Sequence, residues 1–377
     1  MTSLTKLTTC LALAAGFAGS ALAQTPAAKL SCLFGGTPPL SGVSAGTGKP
    51  IVNGGDLAAQ QASQGLGMDV KVAWRDGQNL PAATVTGLQA LAADNVVGVL
   101  VNGTGPLLAA APLSERLNRI VFNIAAVTPA QRTMPNFVFG NAVIADTESL
   151  QMVQTAKNVL KVSKIAIVYD DDSFGDMFRK FLVSAAAAQG LQVTHSLPVK
   201  PGSADLRAQL RPLLEVPQHE AIVLASTGVT PGTAIKQAKE MGVQAKYWIG
   251  EQFTWVPDAL KASGPASEGA IATTPLFDPA ASPRARKFAE DYEKKFGVPA
   301  EALAGRAYDA IYAMAQAAKN VNSCDPVKVR DELQKMKAFD GVTGTLDFSN
   351  RIAEGKLTWG QVRNGTIVAI QPAELGR

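Results

Sequence analysis

The sequence predicts an α/β protein of two doubly wound, Rossmann-like lobes, and three observations carry that expectation. Short, almost wholly apolar runs recur along the chain, each followed by a segment with helical spacing. This alternation happens twice, once before about residue 142 and again from about 146 to 273. The 377 residues also exceed the roughly 250 to 300 at which a single hydrophobic core stops growing.

In the first half the strand-like runs are KLSCLFG at 29–35, DVKVAW at 69–74, VVGVLV at 96–101 and RIVFNI at 119–124. In the second they are IAIVY at 165–169, AIVLAS at 221–226 and KYWIG at 246–250. Runs this short and this apolar read as parallel strands buried on both faces. Helical spacing fills the intervals 50–64, 81–94, 106–117, 146–161, 175–189, 204–214 and 231–241. Strand and helix in alternation give right-handed βαβ units. Three helical segments follow near 283–296, 301–319 and 325–336, and the tail turns strand-like at 343–349, 359–363 and 366–371. No Pro- or Ser-rich linker separates the halves, so the chain is expected to cross directly between lobes more than once.

Lys6, a short apolar stretch and the small residues Ala21 and Ala23 form a secretory leader, with cleavage expected after Ala23. Cys32 follows Lys29, Leu30 and Ser31, and the lysine fits a lipid-attachment box badly. No later segment reaches the ~20 apolar residues of a membrane span, so a soluble mature chain in the periplasm is expected. Lysine plus arginine number 35 against 31 aspartate plus glutamate, and the charges are interspersed, which argues against a nucleic-acid partner. Cys10 leaves with the leader. Cys32 and Cys324 then form either a disulfide or two buried thiols.

Ligands of open α/β sheets bind at the carboxyl ends of strands, where loops enter helices. Three such junctions share one design. Asn102-Gly103-Thr104-Gly105-Pro106, Thr128-Pro129-Ala130-Gln131 and Thr230-Pro231 each set a hydroxyl and unpaired backbone N–H groups at a helix start. Together they suit a bound anion, with a carboxylate the leading choice. Taken singly, each also reads as a well-capped helix. Phe174, after the acidic run Asp170 to Asp172, suits an apolar wall. Glu251, Gln252 and the aromatics around them follow the strand at 246–250, and Glu251 is the natural partner of a ligand ammonium.

Enzyme motifs fare poorly. Gly42-Val43-Ser44-Ala45-Gly46 matches the serine-hydrolase elbow, but Pro38 and Pro39 precede it where a strand is required. Only His195 and His219 are available to complete a triad, and both read as exposed or strand-edge residues. Gly48-Lys49 is followed by Pro50 where a phosphate loop needs Ser or Thr, and no His and Cys cluster has zinc spacing. No cofactor is expected.

Several pieces recur in a specific order: Pro39-Leu40-Ser41-Gly42, Trp74-Arg75-Asp76, the Thr104 loop, and Ile165 to Asp170 leading into Phe174-Gly175. Ile249-Gly250-Glu251, Ala307-Tyr308-Asp309-Ala310 and Gly344-Thr345-Leu346-Asp347-Phe348 complete the set. In them the mature chain resembles the leucine/isoleucine/valine-binding family of periplasmic receptors for ABC importers. The resemblance implies a type I periplasmic binding fold whose hinge closes around ligand, with crossovers near 142–146, 272–275 and 341–345. Lobe I would hold 24–144 plus 274–342, and lobe II 145–273 plus 343–377. Ligand contacts are implied around Ser44 and Thr47, Asn102 and Thr104, the Ala126 to Thr128 turn, Phe174, Thr230, and Glu251 or Gln252. The implied protein is a monomer that delivers a small solute to a membrane permease. Family members that bind amino acids usually carry a tyrosine at the Phe174 position and a serine-rich loop in place of Asn102 to Gly105. The acid that meets the amino group aligns with either Glu251 or Gln252, so the ligand stays open between amino acids, aromatic or other acids, and amides. Two rival readings are a secreted hydrolase using Ser44 and a sensor subunit that presents ligand to a membrane receptor.

Overall fold

Alternating side chains of each buried strand point into different cores, and this makes both sheets doubly wound. The first lobe runs β1 (Ser31–Thr37), α1 (Gly48–Gly65), β2 (Asp69–Trp74), α2 (Pro81–Ala93), β3 (Gly98–Val101), α3 (Thr104–Leu117), β4 (Ile120–Asn123) and β5 (Val138–Gly140). Its strands pair in parallel in the order β2-β1-β3-β4-β5. Phe34, Leu100 and Phe122 enter one cluster, while Leu33, Val99 and Val121 face another. The computed structural model describes residues 1, 29–125, 128–275, 277–355, 357–371 and 374–375. The leader with its cleavage point at Ala23, and the candidate contact Ala126, lie outside them.

The second lobe follows with α4 (Ala145–Asn158), β6 (Lys164–Asp170), α5 (Ser173–Gln189), β7 (Gln192–Val199), α6 (Arg207–Leu210) and β8 (His219–Ala225). It continues through α7 (Thr230–Glu240), β9 (Ala245–Gly250), α8 (Pro257–Ser263) and β10 (Ile271–Pro275). The chain then returns to the first lobe as α9 (Pro283–Phe296), α10 (Ala302–Asn320), α11 (Pro326–Leu333) and a hairpin of β11 (Phe339–Gly341) and β12 (Gly344–Leu346). Antiparallel β13 (Leu357–Arg363) and β14 (Thr366–Ile370) extend the second sheet to the order β14-β13-β10-β9-β8-β6-β7.

Helix α10 is alanine-rich and buried over most of its length against α1, whose Gly54 allows the approach. A Cβ there would lie 2.1 Å from the Ala304 carbonyl oxygen. Cys32 of β1 and Cys324, just before α11, are joined in a disulfide with Cα atoms 5.5 Å apart, within the usual range.

The third crossing differs from expectation. Phe348 is buried against Phe122, 5.8 Å between ring centres, and Ile352 bridges to Gly140 of β5. Residues 344–353 therefore belong with the first sheet, and the chain crosses between Ala353 and Leu357 rather than at 341–345. The apolar Leu346 and Phe348 are drawn to the larger core beside β4.

Candidate functional site

Both sheets reverse their winding at one point, β1 beside β3 in the first lobe and β6 beside β8 in the second. Loops leaving adjacent strands in opposite directions open a crevice there. The two crevices face one another. A cavity of about 320 Å³ lies between them, lined from the first lobe by Ser44, Thr47, Asn79 and the 102–106 loop. From the second come Asp172, Ser173, Phe174, Thr227 and Gly228, with Phe253 and Val256 as apolar wall, to which Leu303 of α10 adds from the first lobe.

The end of α3 is the most polar part of this wall. Gly103 has φ 93°, a conformation costly for any residue with a Cβ, and a Cβ there would meet Asn79 Oδ1 at 2.1 Å. The turn it permits starts α3 with no side-chain cap. The backbone N–H groups of Thr104 and Gly105 have no partner within the helix, and Pro106 has none to satisfy. Thr104 Oγ1 is buried and makes no hydrogen bond within the protein. Such a group costs free energy unless something docks on it. Asn102 Nδ2 donates to Asn79 Oδ1 at 3.4 Å, and Asn79 Nδ2 donates to Ser44 Oγ at 3.5 Å. Ser44 accepts from Asn79, which leaves its own proton available to donate. Hydroxyls, backbone amides and the positive end of a helix converge on one spot.

Across the cleft, α5 is closed off by its own acid: Asp172 Oδ1 accepts the N–H groups of Phe174 and Gly175, each at 2.9 Å. Phe174 packs on Phe178, 5.7 Å between centres, and presents its ring to the cavity.

Other expected contacts lie elsewhere. Thr128 caps a single 3-10 turn through Ala130 N–H. Gln131 does not complete a capping box, because its Oε1 accepts from Asn123 Nδ2 at 2.7 Å. Thr230 Oγ1 accepts the N–H of Gly202, so Thr227 and Gly228 line the cavity in its place. Glu251 points inward: its carboxylate accepts the N–H of Phe253 and the hydroxyl of Thr254. Burial, and then the neighbouring Glu148, push its carboxyl well above the ordinary range. Gln252 spans the hinge, donating to Glu148 Oε2 at 2.6 Å and accepting from Arg306 Nη2 at 3.0 Å. Burial raises Glu148 and lowers Arg306 to about 10. Phe253, directly after these two polar residues in sequence, is the one that reaches the cavity.

No histidine lines the cavity. His195 and His219 lie 5.8 Å apart in the second lobe, and His219 is buried against the Leu213 carbonyl rather than exposed. Ser44 thus has an amide as its partner, not an imidazole. Among the described residues no helix is long and apolar enough to cross a membrane, and no cluster of His, Cys, Asp or Glu has the arrangement to hold a metal.

Residues 34–366 match the family profile described as periplasmic binding protein. The chain belongs to that family. A Leu/Ile/Val-binding protein homolog of Brucella melitensis is 25% identical over 351 residues, 90% of each chain. The branched-chain amino acid transporter substrate binding protein LivJ of Streptococcus pneumoniae, solved with isoleucine, superposes with TM-score 0.82 at 18% identity, covering 90% of this chain and 99% of that one. A solute binding protein of an ABC transporter from Rhodopseudomonas palustris, solved with 3,4-dihydroxybenzoic acid, gives TM-score 0.77 at 22% identity over 90% and 96%. At these identities the two structures establish the fold alone, the two-lobed α/β architecture of periplasmic binding proteins.

In this periplasmic binding protein the lobes already touch at the rim of the cleft. Gly46 N–H donates to Asp258 Oδ2 of α8 at 3.0 Å. A Cβ on Gly228 would lie 2.7 Å from the Val43 carbonyl oxygen, and one on Gly105 would lie 2.9 Å from Ser173 Oγ. Small residues on facing loops let the two crevices close into one chamber. Sequence reading missed Asn79, Thr227 and Gly228, and noted Phe253 only as one of the aromatics beside Glu251 and Gln252. The signal for Asn79 was a Gly-Gln-Asn turn two residues after the edge strand β2 and just ahead of Pro81, where asparagine tolerates its φ of 55°.

Proposed function

We propose that this periplasmic binding protein captures a small carboxylate-bearing solute between its lobes and delivers it, in the closed form, to the permease of an ABC importer. The observation that carries the ligand reading is Thr104. It combines a buried, unpartnered hydroxyl with an uncapped helix start at the switch-point cavity. An anion there gains the helix N-terminus, two backbone N–H donors and the Ser44 and Thr104 hydroxyls, all without a cationic side chain. Phe174, Phe253, Val256 and Leu303 enclose the apolar remainder. Ligand contacts drawn from both lobes favour the closed arrangement, which shifts the population toward it. Leader and family together support a periplasmic location after cleavage at Ala23, and a monomer suffices for every contact named.

The test is a thermal-shift screen of the mature protein against amino acids, aromatic and aliphatic carboxylates, dicarboxylates and short amides. A ligand at about 100 times its Kd stabilises by about 2.7 kcal/mol. At least one carboxylate is expected to raise the melting temperature. A response confined to uncharged compounds would remove the anion from the reading.

A further inference from the structure

We infer that the solute held in this cleft carries no α-ammonium group, so that the site selects carboxylates over the corresponding α-amino acids. The inference rests on the carboxylate reading above and narrows its ligand class.

An α-ammonium lies one carbon from its carboxylate. With the carboxylate on the N-terminus of α3, the ammonium would sit beside it in a closed chamber, near the positive end of the helix dipole. Removing such a cation from water is costly unless a buried acid meets it. Besides Asp258, which accepts the Gly46 N–H at the rim and does not line the cavity, four acids stand in this region, and three of them are turned away. Asp170 accepts from Ser226 Oγ and from Thr227 N–H. Glu251 accepts from Phe253 N–H and Thr254 Oγ1. Glu148 accepts from the backbone and side-chain amides of Gln252 and from Thr273 Oγ1. Each is buried with both carboxylate oxygens engaged by the protein, and none borders the cavity. The place on the wall that an acid after β9 would occupy is taken by the Phe253 ring.

The fourth acid is Asp172, the one carboxylate among the described residues that does line the cavity. It is exposed, and Oδ1 is committed to two N–H groups of α5. A solvated cap at the rim offers an ammonium little that water does not. Among the described residues the cleft is therefore equipped with donors for an anion and with apolar walls, but lacks a desolvated carboxylate to meet a cation.

Matched pairs measured by isothermal titration calorimetry on the mature protein at pH 7.5 test this. The pairs are leucine and 4-methylpentanoate, phenylalanine and 3-phenylpropanoate, and phenylglycine and phenylacetate, with 4-methylpentanamide and phenylacetamide as neutral controls. In every pair that binds, the ammonium-free acid is expected to bind tenfold or more tightly than its amino acid. An amino acid that equals or exceeds its partner overturns the inference and leaves the carboxylate reading standing. If Asp172→Asn then abolishes that binding, Asp172 is the ammonium's partner. Amides binding better than acids, or no acid binding at all, would overturn the carboxylate reading itself and the inference with it.

Discussion

Thr104→Val separates a binding hydroxyl from a structural one. Thr104 is 2% exposed, its Oγ1 has no partner, and its neighbours at the α3 terminus are committed to no side-chain cap. Valine keeps the shape and removes only the donor. A hydrogen bond to a charged group contributes about 1.5 to 3 kcal/mol, so affinity for the tightest carboxylate should fall about ten- to a hundred-fold. Without ligand the sign reverses. The variant no longer buries an unsatisfied hydroxyl, and it should melt level with the wild type or about 1 to 3 °C higher. Thr104→Ser retains the donor and should keep most of the affinity. Calorimetry and ligand-free thermal melts on the three proteins read both effects. An affinity loss under twofold, or a loss accompanied by a clear drop in the ligand-free melting temperature, would show that the hydroxyl serves the fold and not the ligand.

Other consequences follow from the same geometry. Gly228→Ala adds a Cβ where φ is 64° and where the Val43 carbonyl stands 2.7 Å away in the other lobe. It should weaken ligand binding at least tenfold and enlarge the liganded radius of gyration in X-ray scattering, and an unchanged radius with full affinity would refute the rim contact. Burial pushes the Asp170 carboxyl up to about 7, against the bonds from Ser226 and Thr227. The folded chain therefore holds a proton that the unfolded chain has released, and this contribution to stability declines as pH rises from about 4 to 7 and levels off above. Asp170→Asn should remove that decline, of order 4 kcal/mol at most, in urea titrations at pH 5 and pH 8. Parallel profiles for the two proteins would contradict it. The Cys32–Cys324 disulfide predicts no alkylatable thiol in the unfolded, unreduced mature chain, and a loss of about 2 to 5 kcal/mol on reduction. Two reactive thiols before reduction would exclude the bridge.

The sequence by itself determined the two windings. Strands such as 96–101 and 221–226 are apolar on both faces because helices cover both, and no other environment favours such runs. The edge strand β7 escaped notice because its side chains alternate between half-buried and exposed and mimic a loop. Within the site, the local chemistry of Thr104, Thr128 and Thr230 is nearly identical in sequence: a threonine, a nearby proline and a strand behind. Only the packing of the lobes decided that Thr104 opens to the cleft, while Thr128 satisfies its own turn and Thr230 holds Gly202. Glu251 and Gln252 were equally undecided. A residue's direction after a strand depends on what packs around it: here Glu148 and Arg306 of other segments hold the Gln252 side chain, Glu251 folds back on Phe253 N–H and Thr254, and Phe253 is left at the wall. Local patterns state what a side chain has to offer. Which group receives it is settled by residues distant in sequence, such as Glu148, 104 positions from Gln252, that only the tertiary fold brings near.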